Sequence, residues 1–129
     1  HRAVTEMWLS QHGFKWHSDH FDRDIPYLID NEFGELAAVP FTMEVNDMPL
    51  YIRYGNEPEA FTRILERILD GFADTHTPKA ILDLTVHAHV FGRPFGAIEL
   101  RKSIEAVQQR DNVWITTHEE LAKTVHPDF

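Results

Sequence analysis

His87 and His89 stand two residues apart in a stretch, 79–90, where apolar and polar residues alternate. On a strand that spacing aims both rings the same way. Histidine is the side chain best suited to moving protons near neutral pH, and a positioned general acid or base is worth about 10²–10⁴ in rate. A His-x-His pair can also hold a metal ion, while the bland alternative is polar filler at a strand end. His17-Ser18-Asp19-His20 has the composition of a metal cluster, and equally that of a polar loop. Asp19 and Asp24 are carboxylates that could orient an Arg or His supplied from elsewhere. Glu44, Asn46 and Asp47 gather where a second alternating stretch ends, at the edge where βα folds carry their chemistry; Asn46-Asp47 is also a good turn pair. Arg93, in Gly92-Arg93-Pro94, can clamp a carboxylate or carbonyl, or else belong to a turn leading into a helix.

The elements that must position these residues follow from periodicity. Residues 3–12 read as a helix with Val4, Met7, Trp8 and Gln11 on one face and Gly13 as its stop. Residues 14–16 suggest a short strand, and the acidic segment 18–35 reads mostly as loop. Residues 36–46 predict a strand with Val39, Phe41, Met43 and Val45 facing one way, and 46–58 a long loop. Residues 58–70 carry the clearest helical pattern, Phe61, Ile64, Leu65, Ile68, Leu69 and Phe72, with Asn56 as expected cap and Gly71 as expected end. A second strand is predicted at 79–90, a helix at 97–109, a short buried strand at Val113–Ile115, and a last helix from Thr117 with Glu120 completing a capping box. Alternating strands and amphipathic helices predict an α/β fold built of βα units, expected as one domain over 1–129.

Composition narrows the function. The chain has 129 residues, 43% hydrophobic and 26% charged, the make-up of a folded globular domain. Its formal net charge of −9 argues against nucleic acid or an anionic membrane as partner, since phosphate recognition needs clustered Lys and Arg. No apolar run approaches the roughly 18 residues that span a bilayer. The absence of cysteine excludes disulfides and thiolate metal sites, and fits a reducing, cytoplasmic setting.

Four stretches taken together resemble the C-terminal part of the polysaccharide deacetylase family, nearest its branch of metal-independent allantoinases and related hydrolases. They are Gly13-Phe14 with Ser18-Asp19 and Asp24-Ile25-Pro26-Tyr27; the run from Val39 to Met48; Val86-His87 followed by Phe91-Gly92-Arg93-Pro94; and Val113-Trp114 with the capped helix after it. The matches run in order along nearly the whole chain. The resemblance implies the C-terminal portion of a distorted (β/α) barrel and hydrolysis of non-peptide C–N bonds, in N-acetylated amino sugars or cyclic amides. It implies that His87 protonates the leaving nitrogen or supports the oxyanion, and that Asp24 tunes the catalytic groups. Glu44, Asn46, Asp47, His89 and Arg93 are then expected around the substrate. In the complete family domain a divalent metal such as zinc, where used, is held by an Asp and two histidines of early motifs. Those motifs are absent here, so no metal or cofactor is expected in this chain. With His1 at the start, a missing N-terminal portion is expected, or a homo-oligomer in its place.

Two other readings compete with an enzyme portion acting on a small amide or amino sugar. One is a non-catalytic half-barrel that binds or assembles through open strand edges. The other is a metal site made from His17, His20, His87 and His89.

Overall fold

Tertiary contacts in the computed structural model, which describes residues 2–75, 79–126 and 129, divide the chain into two units. One comprises residues up to Phe41 together with Thr116–Phe129; the other is Thr42–Ile115.

The first unit is built on a three-stranded sheet of β1 (Trp16–His17), β2 (Tyr27–Asn31) and β3 (Gly34–Ala38), with β3 in the centre. β1 runs parallel to β3, and β2 antiparallel to it with Tyr27 opposite Ala38 and Asn31 opposite Gly34. The acidic segment expected as loop therefore holds a hairpin. Its turn is made by Asn31, whose Oδ1 accepts from the Phe33 amide at 3.0 Å, and by Gly34, whose φ of 116° suits glycine. Leu36, Ala37, Ala38 and Val39 are fully buried, as a central strand requires. Helix α1 (Arg2–Gln11) packs across β3 and β2, and Gly13 with φ 77° follows its end. The face that α1 buries is not the one its apolar residues predict. Val4 and Trp8 are exposed, Trp8 stacks on the His12 ring, and the buried side chain is Glu6. Helix α4 (His118–Lys123) starts at Thr117, whose side chain accepts from the Glu120 amide as the capping pattern predicts; the His118 ring meets Trp16 of β1 edge to face.

Within the predicted strand 36–46 the sheet pairing ends at Ala38, and only Asn46 pairs again, in an isolated bridge. Pro40 has no amide to donate, so the ladder cannot continue through it, and the chain bends at 43–45, leaving Met43 62% exposed.

In the second unit α2 (Glu59–Asp74) packs on α3 (Pro94–Gln108). Val45, Phe61, Leu65, Leu69, Val90 and Phe91 form the core between and beside them. The helices are also joined by polar contacts: Thr62 Oγ1 lies 2.7 Å from Ser103 Oγ, and Arg110 pairs with Asp70 at 2.7 Å. Asn56 does not cap α2; its side-chain amide donates to the Leu50 carbonyl, and Pro58 stands at the cap. Nor does Gly71 end the helix, which runs on to Asp74 and closes where Thr75 Oγ1 donates back to the Gly71 carbonyl at 2.8 Å. The expected loop 46–58 contains a wide π-helical turn, Met48–Arg53, begun by Pro49. The predicted strand 79–90 makes a single parallel bridge, Thr85 to Asn46, and Val113–Ile115 has no strand partner among the described residues. Strand propensity needs neighbouring strands to become a ladder, and here it yields extended chain with Trp114 61% exposed.

Candidate active site

The Thr85–Asn46 bridge brings the two motif segments of the second unit together. The Thr85 amide donates to the Val45 carbonyl at 2.9 Å, and the Asp47 amide to the Thr85 carbonyl at 3.2 Å. Asn46 then turns the chain, its Oδ1 accepting from the Met48 amide at 3.1 Å. That turn drives the Asp47 side chain inward, where it is fully buried at 0% exposure.

A buried carboxylate needs donors, and Asp47 has three. Oδ1 accepts from His87 Nδ1 at 2.6 Å; Oδ2 accepts from the His87 amide at 2.7 Å and the Phe91 amide at 3.2 Å. An ionised carboxylate only accepts, so the ring proton lies on Nδ1 and the Nε2 lone pair is left open. The His87 side chain is 36% exposed, and Nε2 makes no hydrogen bond among the described residues. This is the arrangement of an oriented acid–base histidine: a buried acid fixes the tautomer, and the far nitrogen meets the reactant.

Residues 87–92 end the predicted strand in a turn. The Val90 amide donates to the His87 carbonyl at 2.9 Å, so the chain turns directly after His87 and the two-residue period ends there. His89 is exposed in that turn, its ring edge-to-face with His87 at 5.7 Å between centroids. Gly92 has no room for a side chain, because a Cβ would overlap the Ala88 carbonyl. Gly96 is equally confined, with a Cβ falling 2.6 Å from Phe91 Cα. Phe91 seats the turn in the core against Phe61, ring centroids 5.0 Å apart.

The remaining expected site residues are placed less centrally. Asp47, expected around the substrate, is buried against His87 and bonded to its ring. Asn46 makes the turn. Glu44 is exposed and lines a shallow depression with Ile64, Arg67 and Ile68. Arg93 is exposed at the start of α3, its backbone extended. Asp24 is exposed in a bend of the first unit; there it is Asp22 that engages a partner, accepting from the Tyr27 hydroxyl at 3.0 Å.

Metal-ligating groups do gather in the first unit, without His87 or His89. Glu6, His17 and His20 are the one set of three or more among the described residues whose ligand atoms all lie within 4.8 Å of one another. His87 and His89 belong to no such set, and His87 Nδ1 is already engaged by Asp47. His87 Nδ1 is thus committed to Asp47 and not free to ligate a metal ion. Composition hinted at His17 and His20; Glu6 gave no signal, because it interrupts the apolar pattern of α1.

No family model matches the chain. A Schizosaccharomyces pombe protein named as a candidate polysaccharide deacetylase is 27% identical over 82% of this chain and 37% of its own length. A crystal structure from Pseudomonas aeruginosa, also named as a candidate polysaccharide deacetylase, superposes with a TM-score of 0.81 at 25% identity, covering 95% of this chain and 41% of that one. The chain resembles part of the polysaccharide deacetylases. A Mycobacterium smegmatis structure named in the same way gives a TM-score of 0.80 at 26% identity, over 94% of this chain and 44% of that one. An allantoinase structure shares the fold, with a TM-score of 0.81 at 24% identity over 92% of this chain and 41% of its own. The fold is thus α/β and corresponds to a portion of a deacetylase-type (β/α) barrel. The chain spans 37% of the curated deacetylase relative and 41–44% of the solved structures.

Proposed function

We propose that this chain carries the histidine-bearing part of a hydrolase acting on non-peptide C–N bonds. The classes favoured as substrate are N-acetylated amino sugars and cyclic amides. The observation that carries the reading is the buried Asp47 carboxylate 2.6 Å from His87 Nδ1, which leaves Nε2 as an aimed proton-transfer atom. Likeness to the deacetylases in sequence, and to the allantoinase in fold, supports the reaction class.

In such a hydrolysis water adds to the carbonyl carbon and the C–N bond then breaks. Nitrogen is a poor leaving group until it is protonated. His87, protonated at Nε2, delivers that proton, and Asp47 stabilises the imidazolium before it does so. His89 and Arg93, both exposed near the turn that follows His87, are the polar side chains assigned in this reading to the rest of the substrate.

The test is hydrolysis by the full-length protein, measured as acetate release from N-acetyl amino-sugar oligomers and as ring opening of cyclic ureides. Turnover of one class is expected, with a loss of about 10²–10⁴ in kcat for His87→Gln. Failure on every amide offered, or full turnover by His87→Gln, overturns the proposal.

A further inference from the structure

The His17 Nε2 atom is buried and has no hydrogen-bond partner among the described residues. Buried polar atoms nearly always find one, so an orphan asks for an explanation. Around it stand groups of one chemical kind. The His20 ring lies edge to face with the His17 ring, centroids 4.8 Å apart. The Glu6 carboxylate, presented by α1, lies 2.9 Å from His20 Nε2, and Glu6 and His20 are both buried.

The surroundings of His20 hold its ring in place. Tyr27 Oη lies 2.8 Å from His20 Nδ1 and 3.0 Å from Asp22 Oδ1. The phenol has one proton, and the carboxylate can only accept it. Tyr27 therefore donates to Asp22 while its oxygen stays in contact with His20 Nδ1. Burial and then the hydrogen bond to Asp22 push the Tyr27 phenol up to about 12, so it keeps its proton. His20 Nε2 in turn lies 2.9 Å from a Glu6 carboxylate oxygen. The Arg2 guanidinium lies 3.4 Å from the same Nδ1.

We infer that Glu6, His17 and His20 form a binding site for a divalent transition-metal ion of the zinc class. Two imidazole nitrogens and one carboxylate oxygen are a common zinc donor set, with the fourth position left for water. Zinc bonds of about 2.0–2.2 Å set tetrahedral ligand atoms about 3.4 Å apart. The ligand atoms here, 2.9 Å apart in one pair and all within 4.8 Å, reach that spacing by side-chain adjustment alone. The chain from His20 Nδ1 through Tyr27 to Asp22 is the outer hydrogen bonding that holds a ligating histidine in orientation. The ion gives the orphaned His17 Nε2 a partner. It lies within the first unit and is independent of the chemistry proposed at His87.

The experiment is titration of the chelator-stripped protein with Zn²⁺ by calorimetry, with Co²⁺ absorption as a spectroscopic probe of the donors. One equivalent of Zn²⁺ per chain is expected, with a rise in Tm and the intense visible bands of four-coordinate Co²⁺. His17→Ala removes a ring whose Nε2 has no hydrogen-bond partner among the described residues, so a folded variant is expected to lose at least tenfold in affinity. Glu6→Gln is expected to do the same, and His89→Ala to bind like the parent. Absence of stoichiometric binding, or binding unchanged in His17→Ala and Glu6→Gln, overturns the assignment.

Discussion

Replacing Asp47 by Asn keeps the side chain's shape and turns one acceptor oxygen into a donor aimed at a donor. In the full-length protein Asp47→Asn is expected to lower kcat about as far as His87→Gln does, 10²–10⁴, with KM within a few-fold. On the proposal that Asp47 positions His87, a second signature is expected in ¹⁵N spectra, where the His87 ring loses its Nδ1–H tautomer preference. Unchanged tautomer and unchanged kcat would deny Asp47 this role. At this scale the sequence was partly legible. His87 stood out because its residue type is scarce and chemically suited, and Asp47 because it ended an apolar stretch. Their hydrogen bond spans forty positions along the chain, and no local pattern encodes it. Glu6 and Tyr27 were illegible for a related reason: a carboxylate on a helix and a phenol on a strand look like solvent-facing residues until the fold brings two histidines to them.

The elements divide by where their information lies. Helices α2 and α4 were readable because the 3.6-residue period and the Thr117–Glu120 cap are local. Thr117→Ala is expected to cost about 1 kcal/mol by denaturant unfolding. Lys123, exposed, has its pKa raised by hydrogen bonds to Glu120 and Glu119. Its contribution to α4 is thus complete below the unfolded value near 10.5 and is lost as pH rises through the higher folded value, visible as faster exchange or weaker helical signals in α4 only at strongly alkaline pH. The strands were misjudged because alternation records a preference for a pleated surface and says nothing of neighbours. Residues 36–46 and 79–90 carry that preference, yet Pro40 interrupts one and the turn after His87 interrupts the other. The turn itself depends on Gly92. Gly92→Ala is expected to destabilise the second unit by several kcal/mol, since the new Cβ meets backbone and not a movable side chain. A fully stable variant would show that the 87–92 turn can open without loss.

At the scale of the molecule, no helix among the described residues is long and apolar enough to cross a membrane. The ordered resemblance along nearly the whole chain made the (β/α) barrel ancestry readable before any element was placed, whereas the division of contacts into two units was not, since no linker composition marks Phe41–Thr42 or Ile115–Thr116. Slow hydrogen exchange is expected in β3 and in α2 around Leu65, and fast exchange at Trp114 and Ile115; protection in the reverse order would contradict the burial described. The three donors on Asp47 carry a consequence for descent. Two of them are backbone amides, of His87 and Phe91, and only one is the imidazole. Loss of the ring removes one bond and leaves the turn tied down, whereas loss of the acid strands two amides in the interior. A lineage that abandons the reaction can therefore change residue 87 freely while the acid and Gly92 remain under selection for folding, so that retired enzymes of this kind would keep the socket and discard the tool.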